Sequence, residues 1–439
     1  MSLSPIVIAL IGFFALFLLI FLNFPVAFAF ALIGFLGIWY MVGLNGALVM
    51  VPVHIWSHIT KYALTCAPLF VLMGMFAYNS GIGPELYSSA LKWWGKATGG
   101  LALTTVWANC AFGALTGSST AAVLAFTPIA YRPMTELGYD KRLSSGTIVA
   151  SGTMASVIPP SMTFILYGII TQESISRLFI AGIVPGIMEL ILYSIAIFLV
   201  TGLHLQAGPA GPGSTFKEKI VSLKNIWGML SIFLLVIGGI YLGVFTPTEA
   251  AAVGAAGTLI ILLIRRGFNI KLLASSLEQT LRTAGMIILI IACSIIFAEF
   301  ISLAGVTRGL MNFLAASDFN PYITLVASLL VLLITGAIMP ATPMILLFTP
   351  ILYPVFVTQY GFDGIWFGVI IAVMVELALI TPPIGINLFA FLSVAKGNIR
   401  TLELWQGVIP FVIADIIRIT LLIALPAVVL WLPNLMFQF

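Results

Sequence analysis

The sequence predicts an all-α polytopic membrane protein built on inverted-topology repeats, each holding a re-entrant helical hairpin and a broken helix. Three observations predict it. Of 439 residues, 61% are hydrophobic and only 7% charged, whereas a soluble domain carries about 25% charged residues. Apolar stretches long enough to span a bilayer recur along the whole chain. And "FTPIAYRPMTELGYD" (126–140) returns as "FTPILYPVFVTQYGFD" (348–363), the first copy rich in positive charge and the second with none.

A bilayer core of about 30 Å needs about 20 apolar residues per helix. Spans are expected near 5–22, 25–42 and 63–81. The first lacks a small-residue cleavage site and reads as a retained span rather than a signal peptide. "ELYSSALKWWGK" (85–96) is more polar and reads as interfacial. A hairpin at 98–136, a long interrupted span at 142–170 and a span at 178–203 follow. "HLQAGPAGPGSTFKEK" (204–219) is the one clear loop. Spans resume at 226–245, 248–264 and 280–303, then a second hairpin at 320–358, an interrupted span at 364–394 and a last span at 406–432. The count is about ten crossings plus two re-entrant pairs.

Charge orients this list. If each hairpin enters and leaves on one side, then Lys92 and Lys96, Arg132 with Lys141 and Arg142, Lys217 to Lys224, Arg265 to Lys271, and Lys396 with Arg400 share one face. The other face keeps scattered cations such as Lys61, Arg177 and Arg308; Arg282 is left near a helix entrance on the rich side. Lys and Arg accumulate on cytoplasmic loops, so the rich face is cytoplasmic and both termini lie outside. The net charge of +4 is explained by this and says nothing of nucleic acid. Trp93, Trp94, Trp405 and Trp431 suit interface anchors.

The repeat extends beyond the quoted stretch. Gly-Tyr-Asp at 138 and Gly-Phe-Asp at 361 lie 223 residues apart, as do Pro159-Pro160 and Pro382-Pro383. Gly117 stands opposite Gly336. Copy one's turn carries Arg132, Lys141 and Arg142, whereas 352–363 has no Lys or Arg. The unit is therefore inserted upside down, as in many secondary transporters, with a site expected near the midplane where repeats meet.

Each repeat has two polar breaks: "TGSSTAA" (116–122) and "ASGTMASVIPPSM" (150–162), then "TGAIMPATPM" (335–344) and "LITPPIG" (379–385). Backbone groups freed there must be buried in protein or line a wet cavity. Unwound carbonyls with Ser and Thr hydroxyls suit a small cation, and helix N-termini suit an anion. Isolated prolines (Pro25, Pro68, Pro426) read as kinks, and Thr127 and Thr349 as helix-kink residues. Glu376 lies inside a span just ahead of a break, and two readings stand: ion or proton coupling, or hydrogen bonding to the broken helix. Glu249, after Pro247, reads as a helix cap. Glu189, Glu299, and Asp415 with Arg418 read as structural or as subunit contacts. Cys66, Cys110 and Cys293 show neither metal nor disulfide spacing. No phosphate-binding loop, dinucleotide fingerprint or zinc-protease motif is present, so no cofactor is expected.

The stretches "GSSTAAVLAFTPIAYRPMTELGYDKRLSSGTIVASGTMASVIPPSMTFILYG", "GVFTPTEAAAVGA" and "TPPIGINLF" resemble the large membrane subunit of TRAP transporters (tripartite ATP-independent periplasmic), the DctM type. The resemblance covers roughly 65 to 432. It implies a sodium-driven importer of a small organic acid, such as sialic acid or a dicarboxylate, in the bacterial inner membrane. Its implied partners are a separate small DctQ-type membrane subunit and a DctP-type periplasmic binding protein, and its implied mechanism is an elevator. The chain then divides into scaffold helices (1–97), a first repeat (98–203), connecting loop and scaffold helices (204–303), a second repeat (304–403) and a C-terminal scaffold helix (404–439). By position, one sodium site draws on Gly117, Ser118, Ser119 and Thr120 with Ser156, Pro159 and Ser161. The other draws on Gly336, Met339, Thr342, Thr381 and Pro382. Substrate contacts fall on Ser119, Ser161, Thr342, Thr381 and Asn387. Where the family pattern has an acidic residue after the second tip's glycine, this chain has Ala337 and Ile338.

Three other classes compete. A stand-alone dimeric sodium- or proton-coupled anion carrier would share the repeats but need no binding protein. A membrane enzyme would need an acid–base constellation, yet His54, His58 and His204 fall outside the breaks. His54 and His58 read instead as the polar face of an interfacial helix. A passive channel fits closed hairpins poorly.

Overall fold

The computed structural model describes residues 4–204, 207–317, 319–382, 384–395 and 399–436. Pro383 and Lys396, used above, lie outside them. The described residues form helices and connecting turns, as the composition requires: in lipid each backbone polar group must be satisfied within the segment.

The first hairpin has arms Gly100–Thr116 and Ser119–Phe126, the latter continued by a π-helical turn, Thr127–Tyr131, and a short helix, Arg132–Glu136. The first broken helix has halves Lys141–Thr153 and Met162–Thr171. The second hairpin has arms Pro321–Gly336 and Ala341–Tyr353, followed by a π-helical turn, Pro354–Gln359. The second broken helix has halves Gly364–Ile380 and Ile386–Ala395. Between the hairpins run one broken helix and the single helices Ile175–Leu203, Trp227–Tyr241, Pro247–Arg266 and Ile270–Leu303. That is an odd number of crossings, so the second hairpin enters from the opposite side.

The repeats interlock. The second arm of each hairpin packs on the second half of the other repeat's broken helix, Ser119–Phe126 on Ile386–Ala395 and Ala341–Tyr353 on Met162–Thr171. Helices Ile175–Leu203 and Thr401–Ala424 pack on each other and brace both broken helices. Lys141–Thr153 crosses Thr401–Ala424 closely enough that a Cβ on Gly146 would fall 2.0 Å from the Gly407 carbonyl oxygen. Outside this unit, Val26–Ile59 runs along Ile270–Leu303, and Cys66–Asn79 along Pro247–Arg266.

Several sequence expectations need correction. The span placed at 25–42 is part of Val26–Ile59, whose axis breaks at Gly43 (φ 80°, ψ 164°). His54 and His58 lie on the helical segment that follows this break. The span placed at 280–303 starts at Ile270, where the Asn269 side chain accepts from the amides of Lys271 and Leu272 at 3.1 and 3.2 Å. The last span is two helices, Thr401–Ala424 and Pro426–Met436. Pro426 has no N–H and its ring opposes continuation, so it ends a helix rather than bending one. The loop at 204–219 gives way early to a short helix, Phe216–Ser222, started by a Thr215–Glu218 capping box. An amphipathic helix, Val306–Ser317, which no expected span covers, precedes the second hairpin as Ile82–Trp94 precedes the first.

Candidate ion and substrate site at the hairpin tips

Each hairpin turns on small residues that let its tip meet a broken helix. Gly117 has φ +59°, and a Cβ there would also lie 2.6 Å from the Pro160 carbonyl oxygen. Only glycine meets both demands without strain. Ser118 then caps the second arm, its hydroxyl accepting from the Ala121 amide at 3.5 Å. The Gly117 carbonyl accepts from the Met162 amide at 3.5 Å. In the second repeat, the Ala337 carbonyl accepts from the Gly385 amide at 3.2 Å. The donors Met162 and Gly385 are again 223 residues apart, while the acceptors at the tips, Gly117 and Ala337, are 220 apart, as the gap between the copies requires.

The structure joins several of the expected site residues. Asn387, fully buried, donates through Nδ2 to the Ser119 hydroxyl, and its Oδ1 accepts from the Thr120 hydroxyl at 3.2 Å. This ties the first tip to the second repeat's broken helix. Ser161 donates to the Ser156 carbonyl and accepts from the Phe164 amide at 3.4 Å, closing the 156–161 turn that contains buried Pro159. In the second repeat the Thr381 hydroxyl donates to the Leu377 carbonyl. Pro382 beside it is exposed, and Thr342 is half-buried in the first turn of the second arm. Met339 is fully buried. A Cβ on Gly336 would collide with the Met344 side chain and lie 2.7 Å from the Ala378 Cβ.

Four helix N-termini therefore gather at the two tips: Ser119–Phe126, Met162–Thr171, Ala341–Tyr353 and Ile386–Ala395. Their partial positive charge favours an anion. The four break segments themselves contain no Lys, Arg or His.

Sequence reasoning missed a second constellation. Arg418 contacts Glu189, lies 3.0 Å from Glu376 and 3.0 Å from Asp415, and all four side chains are buried. Tyr193 donates to Asp415 Oδ2 at 2.7 Å, and Thr153 donates to Glu189 Oε1 at 3.1 Å. Glu189, and the Asp415–Arg418 pair, read above as structural or as subunit contacts, thus form one internal cluster with Glu376. A usable signal was present: Thr153 and Glu376 are 223 residues apart.

A cavity of about 810 Å³ lies elsewhere, between Val26–Ile59 and Ile270–Leu303 on one wall and Met162–Thr171 and Ala341–Tyr353 on the other. His54, His58, Glu299 and Arg308 line it, with His54 Nδ1 3.3 Å from Glu299. Among the described residues, no group of three or more His, Cys, Asp or Glu is placed to hold a metal.

Interlocked inverted repeats with hairpin tips seated against interrupted helices define a secondary transporter of the membrane-embedded, polytopic class. The chain belongs to the family described as "Tripartite ATP-independent periplasmic transporter, DctM component", which matches residues 13–428. It is 32% identical over 404 residues to the C4-dicarboxylate TRAP transporter large permease protein DctM of Pseudomonas aeruginosa, covering 89% of this chain and 93% of that one. It is 29% identical over 378 residues to the sialic acid TRAP transporter permease protein SiaT of Haemophilus influenzae, covering 86% of this chain and 60% of that one. Among solved structures it is similar to the YdaH transporter of Alcanivorax borkumensis, with TM-score 0.65, 13% identity, and 88% and 89% of the two chains covered. That likeness is one of fold.

Proposed function

We propose that this chain is the large membrane subunit of a sodium-driven, binding-protein-dependent importer of a small organic acid. The observation that carries the reading is the matched pair of tips, with four helix N-termini converging at break segments that themselves hold no cationic side chain. A carboxylate bound there would be only partly balanced by helix termini. Cations carried with it complete the balance, and the carbonyls and hydroxyls of 116–120, 156–161, 336–342 and 381–382 supply hard oxygen ligands of the kind sodium takes. The residue assignments given by the resemblance stand as part of this proposal, with Asn387 holding the first tip in register beside the substrate.

The unit of hairpins and broken helices moves as an elevator against Val26–Ile59 and Ile270–Leu303, and the 810 Å³ cavity between these walls supports such a boundary. A small membrane subunit and a periplasmic binding protein complete the importer. The named substrates of relatives, C4-dicarboxylates and sialic acid, support a carboxylate as the substrate, and isethionate, named for another relative, keeps the wider class at organic acids. Both termini face the periplasm across the bacterial inner membrane. The packing of basic segments supports this: Arg265 pairs with Glu85, and Lys219 lies 5.7 Å over the Trp93 ring, gathering positive charge on one face.

The test is uptake into proteoliposomes holding the chain with its small subunit and binding protein, using labelled C4-dicarboxylate and labelled sialic acid. Uptake of one of them is expected under an inward sodium gradient and not under choline. Equal uptake in choline would overturn sodium coupling. Uptake by the chain alone would favour the stand-alone carrier.

A further inference from the structure

We propose that Glu376 is a proton-binding site, a neutral carboxylic acid whose proton sits on Oε1. The proposal does not depend on sodium coupling. The cluster around Arg418 holds one cation and three carboxyl groups, all fully buried. The charged groups acting on Glu376 are Glu189 on Ile175–Leu203, and Asp415 and Arg418 on Thr401–Ala424. One cation balances one carboxylate and leaves two in excess. An uncompensated buried charge costs several kcal/mol, so excess carboxyls neutralise, beginning with the least well met.

The partners choose which carboxyl does so. Glu189 Oε2 is met by Arg418, and its Oε1 lies 3.1 Å from the Thr153 hydroxyl, whose single proton also has the Ala150 carbonyl at 2.6 Å. Asp415 accepts from the Tyr193 hydroxyl through Oδ2 and makes an ion contact with Arg418 through Oδ1. Glu376 has one bond only, from Arg418 Nη2 to Oε2 at 3.0 Å, on a nitrogen that also faces Asp415. Glu376 Oε1 and Asp415 Oδ1 are both buried with no hydrogen-bond partner. Asp415 Oδ1, however, faces Arg418 Nη2 at 3.0 Å, whereas the Arg418 contact of Glu376 is made by Oε2 and not by Oε1. Leaving a neutral hydroxyl there unpaired costs about 1–3 kcal/mol, less than leaving a charge. The repeat gives an independent argument. Thr153, a neutral hydroxyl, is the residue that the 223-residue spacing places opposite Glu376. A protonated Glu376 restores the same chemistry, a neutral O–H, at the equivalent point.

The experiment is infrared difference spectroscopy of the purified full-length chain in lipid nanodiscs at neutral pH, comparing wild type with Glu376→Gln and Glu189→Gln. The expected result is a protonated-carboxyl C=O band that shifts in deuterium oxide, persists in E189Q and is lost in E376Q. Thermal unfolding runs beside it: E376Q, which keeps a neutral group of the same shape, retains the wild-type Tm, while E189Q loses several degrees. Persistence of the band in E376Q, its loss in E189Q instead, or no such band in wild type would overturn the assignment. Should E376Q not fold, ¹³C-glutamate labelling of wild type and Glu376→Asp decides: a label-shifted protonated C=O band present in wild type and lost in E376D supports the proposal, and its persistence in E376D or absence from wild type overturns it.

Discussion

Single residues at the tips decide what this site can hold. Gly117 lets the first tip approach Pro160, and Ser119 and Thr120 are held by Asn387 rather than left free to rotate. A ligand that binds only the folded state stabilises it by about 2.7 kcal/mol at a hundredfold excess over Kd. The chain is therefore expected to melt at a higher temperature in sodium chloride than in choline chloride of equal ionic strength. Ser119→Ala and Thr381→Ala are expected to raise the sodium concentration needed for half of that rise, and for half-maximal uptake. Identical sodium dependence in both variants would remove these residues from the cation sites. The sequence showed these positions because Gly, Pro, Ser and Thr interrupt otherwise apolar runs. It did not show that Asn387 reaches the opposite repeat, since 268 residues separate it from Ser119 and neither flanks the other in any local pattern.

At the scale of elements, the repeated motifs have local physical jobs. In Gly-Tyr-Asp and Gly-Phe-Asp, the glycines take φ +77° and +72°, and the aspartates cap the broken helices. Asp140 accepts from the Arg142 amide at 2.8 Å, and Asp363 from the Ile365 and Trp366 amides at 2.8 and 2.9 Å. The shared Phe-Thr-Pro-Ile is used less symmetrically. Copy one forms its π-helical turn at Thr127–Tyr131, with the Thr127 hydroxyl donating to the Val123 carbonyl at 2.7 Å, whereas copy two delays its turn to Pro354–Gln359. The reading of Glu249 as a cap holds: Thr246 and Glu249 form a capping box, with the Thr246 amide donating to Glu249 at 2.9 Å. Thr246→Ala is expected to cost about 1 kcal/mol, lowering the Tm by about 2 °C in a thermal melt without changing which substrate is taken up. An unchanged Tm would mean that water or lipid headgroups satisfy those amides equally well.

For the whole molecule, the inverted order places the two equivalent turns on opposite sides of the bilayer. Glu136 and Thr358 are both exposed. Glu136→Cys and Thr358→Cys, made singly after replacing Cys66, Cys110 and Cys293, are expected to react with an impermeant maleimide from opposite faces of oriented membranes. Labelling of both from one face would contradict the inversion. Large apolar side chains such as Phe14, Phe21, Ile264 and Ile334 remain exposed on outward helix faces, as a lipid-facing surface requires. The sequence by itself determined that the chain is membrane-embedded, where its helices are interrupted, and that its halves are inverted. Composition, Gly and Pro placement and loop charge act locally, and a duplicated unit keeps its spacing. Only the tertiary structure decided which repeat each tip meets and that Arg418 draws Glu189, Glu376 and Asp415 into one cluster. Those contacts join helices far apart in the chain, and a buried ion's partners are chosen by three-dimensional proximity where water is excluded, not by position along the sequence.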